Sequence, residues 1–177
     1  NKRDKSIMNT TSILLILSGL CVCSFFMGRK RSHVVAMRMG GIASLHSLPK
    51  HYGYMAAAWA VLPALLILAL WLGFESSVLY KLVIAQLPQT VHQMSADDLG
   101  LYYNQIQSFA MGAIDSEQLD EVQIKAAEYY KDLVSSFSQV KSALVFLVAI
   151  VGALLAVRRV TPALRARNHV ESIIEWA

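Results

Sequence analysis

The chain alternates long apolar runs with charged stretches. Three runs are long enough to cross a membrane: residues 10–28, 54–74 and 141–157, of which only the third carries a charge, Lys141 at its start. A helix of about 20 residues spans the ~30 Å hydrocarbon core of a bilayer. The pattern therefore predicts three transmembrane helices. We expect the Lys141 ammonium to extend to the lipid headgroups.

Positive charge follows the first run at once, in Arg29, Lys30 and Arg31. A cleaved signal peptide has its positive charge before the apolar core and small residues after it. The reverse order favours a retained membrane anchor over a signal peptide. The uncharged stretch from Met8 suits an anchor with its N-terminus outside, and we expect Met8 to be the natural start.

The stretch between the second and third runs has helical periodicity. The second run continues in helical register as far as Pro88, and Ser95 is a good N-cap for a further helix. Two stripes then recur at spacings of three and four: Leu99, Tyr102, Ile106, Phe109 and Ala113, and next Leu119, Val122, Ala126, Tyr129, Leu133, Phe137, Val140 and Leu144. The second stripe predicts one long helix that enters the third run, with Asp115 and Gln118 as a capping box.

These elements predict an all-α membrane protein with three transmembrane helices and a small helical extracytoplasmic bundle between the second and third. Pro49 and Gly53 are predicted to punctuate the turn before the second helix. The predicted segments are an outer N-terminal tail (1–9), the first transmembrane helix (10–28), a basic cytoplasmic loop (29–53), the second transmembrane helix (54–74), an extracytoplasmic helical region (75–140), the third transmembrane helix (141–157) and a cytoplasmic end (158–177).

The distribution of charge predicts the orientation in the membrane. Residues 29–53 contain five basic and no acidic residues, whereas residues 75–140 contain nine acidic residues and three lysines. The positive-inside rule then places the basic segments in the cytoplasm and the N-terminus outside. The topology-determining residues are Arg29, Lys30, Arg31, Arg38, Lys50, Arg158, Arg159, Arg165 and Arg167.

Composition agrees with a membrane protein. The chain is 55% hydrophobic and 16% charged, whereas soluble domains average about 25% charged. The net charge of +4 follows from topology and not from a nucleic-acid-binding face, which would need base-reading or stacking groups. Trp59, Trp71 and Tyr80 are the predicted residues of the membrane interface, where amphipathic rings concentrate.

No catalytic, cofactor-binding or metal-binding residue is predicted. The chain lacks the common phosphate-loop, dinucleotide, zinc-protease and nucleophile-elbow motifs. Cys21 and Cys23 are two apart on a helix and point about 200° from each other, so they suit membrane packing better than a metal site. His46 and His51 have no acidic residue or cysteine near them in the sequence, which favours a polar loop over a metal site.

Three strings carry a resemblance to a known family: "GRKRS", "LHSLPKHYGYMAAAWAVLPALLILALW" and "VRRVTPALRARNHVE". They resemble the N-terminal region of PstC, the permease subunit of bacterial phosphate ABC importers, in its long Gram-negative form. The resemblance implies three partners besides membrane lipid: a second permease subunit, an ATPase subunit dimer and a periplasmic phosphate-binding protein. It also implies that ATP hydrolysis occurs on a partner, that the membrane is the bacterial inner membrane, and that residues 75–140 form a periplasmic helical region.

The resemblance places the pore and the ATPase-coupling loop in a following permease core. We therefore interpret the chain as an amino-terminal piece that serves anchoring, assembly or docking of the binding protein. Two alternatives come from other classes. An acidic helical bundle between two spans is also typical of the membrane input module of a sensor or chemoreceptor. A membrane-anchored enzyme is disfavoured, because the spans contain no polar site.

Overall fold

The computed structural model describes residues 10–38, 48–116 and 119–160. These ranges form the helices α1 (Thr10–Arg38), α2 (Pro49–Ala85), α3 (Gln89–His92), α4 (Ala96–Ala110) and α5 (Glu121–Arg158), and they include no strand. The predicted all-α fold is confirmed. Helices α1, α2 and α5 are long and apolar enough to cross a membrane, as the three apolar runs predict.

Each of the three long helices extends beyond its apolar run. Helix α2 has 37 residues and α5 has 38, so α5 is about 57 Å long at 1.5 Å per residue. The predicted continuation of the second run towards Pro88 and the single helix through the third run are both confirmed. Residues 29–38 and 49–53, within the predicted basic loop, are helical.

The described residues divide into two compact units. One, here called the bundle unit, is Leu70–Lys141. The other, here called the anchor unit, contains the described residues among 10–69 and 142–160. Helices α2 and α5 contribute to both units, α1 belongs to the anchor unit, and α3 and α4 belong to the bundle unit.

The bundle unit has its own hydrophobic core. Helix α4 begins where predicted, because the Ser95 side chain accepts a hydrogen bond from the Asp98 backbone N–H at 3.2 Å. Its predicted apolar face packs on the core around fully buried Ile106, although α4 ends at Ala110, before Ala113. The buried core residues are Leu79, Val83, Leu87, Val91, Ile106, Ala126, Ala127 and Tyr130.

The cap of α5 differs from the predicted one. The Asp120 carboxylate accepts from the Gln123 backbone N–H at 2.6 Å, and the Gln123 side-chain oxygen accepts from the Asp120 N–H at 3.1 Å. This reciprocal pair is a capping box that satisfies two otherwise unpaired N–H groups. The predicted cap at Asp115 is wrong because α5 begins only at Glu121. Gln118 lies outside the described residues.

The apolar stripe of α5 does not remain on the packed face. It is buried or half-buried as far as Phe137, but Val140 is 55% exposed and Leu144 is 37% exposed. Ser138, Lys141 and Ser142 are buried instead. In lipid, apolar side chains gain nothing by packing inwards, so small and polar residues occupy the helix contacts.

The anchor unit is held by close helix contacts at glycines. A Cβ atom on Gly28 of α1 would lie 2.6 Å from the Tyr52 carbonyl oxygen of α2, and one on Gly53 would lie 2.7 Å from the Phe25 ring. On α5, a Cβ on Gly152 would overlap the Trp59 carbonyl oxygen. Membrane helices commonly approach each other at such small residues. Gly53 is therefore a packing residue inside α2, and not part of the predicted turn.

Candidate functional site

A buried ion pair lies within the bundle unit. The Lys141 ammonium of α5 donates to both carboxylate oxygens of Glu75 of α2, at 2.8 and 3.1 Å. The Lys141 side chain is 8% exposed and that of Glu75 is 14% exposed. A buried charge is tolerated only when it is paired and hydrogen-bonded. Each of these two side chains thus requires the other.

The positions of the two residues in the sequence explain why they meet. Glu75 is the first charged residue after the second apolar run, and Lys141 is the first residue of the third run and its only charge. Helices α2 and α5 lie side by side there, so the two charges occur at one level. This pair was not predicted from the sequence. Glu75 was grouped with the acidic residues of the extracytoplasmic segment, and the Lys141 ammonium was predicted to extend to the lipid headgroups. The sequence did contain a signal for the pair, namely opposite charges at the adjacent ends of two successive apolar runs.

Aromatic rings accompany the ion pair. The Trp71 ring centroid lies 5.9 Å from that of Phe137 and 5.5 Å from that of Phe74. Trp71 and Phe137 stand one turn before Glu75 and Lys141 on their helices, so the rings cover the same face as the charges. Excluding water in this way strengthens the electrostatic attraction between the charges. The buried Trp71 indole N–H finds no acceptor among the described residues.

Polar contacts of tyrosines stabilise the part of the bundle unit around α4. The Tyr102 hydroxyl donates to both carboxylate oxygens of Asp120, at 3.1 and 3.2 Å. Burial, assisted by the charge of Asp120 and this hydrogen bond, raises the pKa of Tyr102 to about 12. Burial also raises the pKa of Tyr103 to about 12, with Tyr130 and Tyr80 beside it. The stability that these hydroxyls contribute is complete below pH ~10, the unfolded pKa, and is lost as the pH rises towards 12.

The predicted topology-determining residues that the structure describes lie in the last third of α1 or at an end of α2 or α5, and they are exposed. The exposed residues are Arg29, Lys30, Arg31, Arg38, Lys50, Arg158 and Arg159. Arg165 and Arg167 lie outside the described residues, as do residues 1–9 and the strings "LHS" and "TPALRARNHVE". The role of these charges in orientation stays a prediction.

The three predicted interface residues have different surroundings. Trp59 is 39% exposed, and the Arg159 guanidinium lies 5.4 Å from its ring centroid, a cation–π geometry. Trp71 packs beside the ion pair. The Tyr80 ring packs edge-on against Tyr103 of α4, with 4.9 Å between centroids. Tyr80 thus contributes to packing within the bundle unit, a role that its position in the sequence did not reveal.

Two cavities and the free cysteines are candidate ligand sites in the part of the chain that the structure describes. No three His, Cys, Asp or Glu side chains there group as metal ligands, and Cys21 and Cys23 are free thiols. One open cavity of about 500 Å³ lies in the anchor unit, lined by Arg29, His33, Leu48, Pro49 and Lys50. Another, of about 300 Å³, lies in the bundle unit near Pro88 and Tyr129.

The comparison with known families agrees with the resemblance of the three strings. A family model described as phosphate ATP-binding cassette transporter matches residues 14–177. No curated protein and no solved structure matches the sequence. The family match covers all three apolar helices and both units. The chain therefore belongs to the phosphate ATP-binding cassette transporter family.

Proposed function

We propose that this chain is the N-terminal membrane region of a permease subunit in an ATP-driven phosphate importer. Its role is anchoring, assembly or docking of the binding protein, and the pore lies elsewhere in the complex. The partners are a second permease subunit, an ATPase dimer that hydrolyses ATP, and a periplasmic phosphate-binding protein. Family membership supports the transport process, and the strings quoted above support the subunit.

The observation that carries the structural role is the closed ion pair. Glu75 and Lys141 satisfy each other at 2.8 Å and are almost fully buried. A path for phosphate would need cationic groups that a passing anion can reach. Lys141 is instead engaged in joining α2 to α5 within the bundle unit. This arrangement supports assembly as the role of the pair.

The proposed location is the bacterial inner membrane, with the bundle unit in the periplasm. The basic ends of α1, α2 and α5 would then lie in the cytoplasm, as the positive-inside rule requires. The alternative of a sensor input module is not favoured, because α5 ends at Arg158 and a signalling helix would continue into the next domain.

Cysteine labelling tests this orientation. In a variant with Cys21 and Cys23 replaced by alanine, Met111→Cys should react with a membrane-impermeant maleimide in cells whose outer membrane is open. Met37→Cys should react only after the inner membrane is also opened. Met37 is 80% exposed and Met111 is 67% exposed, whereas Ser32 is fully buried and unsuitable. Labelling of Met37→Cys from outside would overturn the topology.

Exchanging the two charges tests the structural role. In the full-length protein, the double variant Glu75→Lys with Lys141→Glu keeps an ion pair but reverses its direction. We expect the co-purified ATPase subunit to remain at the wild-type level, and phosphate uptake per assembled complex to be unchanged. The single variant Lys141→Glu places two carboxylates together and should lower the yield of complex. An intact complex of the double variant that no longer transports phosphate would contradict the proposal.

A further inference from the structure

The open cavity of about 500 Å³ in the anchor unit is lined by basic side chains to which the proposed transport role assigns no function. Arg29 and His33 line it from α1, and Leu48, Pro49 and Lys50 line it from the start of α2. Arg29 and His33 are four residues apart and therefore share one face of α1. The volume of the cavity falls in the range of ordinary small-ligand sites. We propose that this cavity binds the phosphate group of an anionic phospholipid.

The charge of the cavity favours a phosphate ligand. Arg29 and Lys50 are both exposed, and the sequence has no acidic residue between Asp4 and Glu75. A guanidinium matches two phosphate oxygens with parallel N–H groups, and an ammonium adds a compact charge. His33 supplies a further hydrogen-bond donor. Helix α2 begins at Pro49, so the positive end of its dipole adds to the same field.

The level of the cavity along the helices favours a lipid over a free ion. The first apolar run ends at Gly28, directly before Arg29, and the second begins at Tyr54, four residues after Lys50. The close approach of Gly28 to the Tyr52 carbonyl holds this part of α1 beside the start of α2. The cationic groups therefore lie where apolar surface gives way to polar surface, which is the depth of headgroup phosphates.

The shape of the cavity points to the same ligand. The cavity is open, and exposed Leu48 provides an apolar contact at its edge. A free phosphate in an open site would keep most of its hydration and gain little. A phospholipid is already held at this depth by its acyl chains, so the site needs only to select the headgroup. The inference requires that α1 and α2 span a membrane, but it does not depend on the proposed role in transport.

The test uses the full-length protein in lipid nanodiscs. The preference is measured with spin-labelled phosphatidylglycerol and spin-labelled phosphatidylcholine, by comparing the fraction of each lipid that is motionally restricted by the protein. The wild-type protein should prefer phosphatidylglycerol. The double variant Arg29→Gln with Lys50→Gln should reduce this preference by at least about 10-fold, because it removes the charge-assisted hydrogen bonds that the guanidinium and the ammonium would donate to the phosphate.

The matched control removes two charges outside the cavity. Lys30→Gln with Arg31→Gln changes the net charge by the same amount, and neither residue lines the cavity. This control should retain most of the preference, and circular dichroism should show equal helicity in both variants. An equal loss of preference in the control would overturn the proposal in favour of diffuse surface attraction, and so would an unchanged preference in Arg29→Gln with Lys50→Gln.

Inorganic phosphate distinguishes the two sources of a phosphate group. Millimolar phosphate, with sulfate at equal ionic strength as the reference, should not displace labelled phosphatidylglycerol from the wild-type protein. Displacement by phosphate but not by sulfate would overturn the lipid assignment and identify a free-phosphate site. Failure of phosphate uptake in cells with normal lipid selectivity would bear on the proposed transport role alone.

Discussion

Replacing Lys141 with methionine should lower the free energy of unfolding by about 3–5 kcal/mol. The substitution keeps the length of the side chain but leaves the Glu75 carboxylate buried without its partner. Glu75 then lacks the two hydrogen bonds that Lys141 donates, and only protonation or exposure to water can relieve the unpaired charge. Reversible denaturant unfolding of the full-length protein in mixed micelles, followed by circular dichroism, measures the change.

Two controls separate the loss of the pair from the loss of a side chain. The double variant Glu75→Leu with Lys141→Met removes both charges and should be close to the wild type in stability, because apolar residues of similar size often replace a buried ion pair without loss. Lys125→Met breaks the ion pair with Glu121, in which both side chains are over 70% exposed, and should leave the unfolding transition where it is. Equal destabilisation by Lys141→Met and by the double variant would show that the charge pairing contributes nothing.

Substituting Gly152 with leucine should destabilise the anchor unit by about 3 kcal/mol, the upper end of the range for overpacking. The new Cβ would overlap the Trp59 backbone carbonyl of α2. A backbone group cannot rotate away as the end of a flexible side chain can, so the helices must separate. The separation also removes surrounding contacts, such as those of the Val145 and Ala149 side chains, which are buried on α5. Thermal unfolding in micelles and the yield of folded protein in the membrane report the effect.

Gly19→Leu is the matched control for this prediction. Gly19 lies in α1 of the same unit, and a Cβ atom there meets nothing within 4 Å. The Gly19→Leu variant should retain the wild-type yield of folded protein and the wild-type midpoint of thermal unfolding. The greater helix propensity of leucine adds a little stability. Gly152→Leu with an unchanged midpoint would show that α2 and α5 do not approach as closely as described.

The helical segments of this chain could be predicted, because each follows from the properties of consecutive residues. Three apolar runs of the length of a bilayer predict three long helices, and the Ser95 cap of α4 depends only on a side chain and an N–H three residues later. The capping box of α5 was misplaced. Asp115 and Asp120 both precede a glutamine by three residues, so local chemistry alone did not distinguish them.

Contacts between helices were not predictable in the same way. The stripe from Leu119 predicts a buried Val140, but the buried residue there is Lys141. Hydrophobic periodicity identifies the packed face only where water surrounds the helix. Where lipid surrounds the helix, apolar side chains can face outwards at no energetic cost, so hydrophobic periodicity no longer identifies the packed face.

The amino-acid sequence by itself determined the helical class, the three apolar helices and the family, since each depends on composition, length or a short contiguous string. Only the tertiary structure paired Glu75 with Lys141 and brought Arg29 of α1 to the same cavity as Lys50 of α2. It also showed that Gly28, Gly53 and Gly152 are points of helix contact. The physical reason is that a side chain's partner depends on which faces of two helices meet, and residues far apart along the chain set that choice jointly.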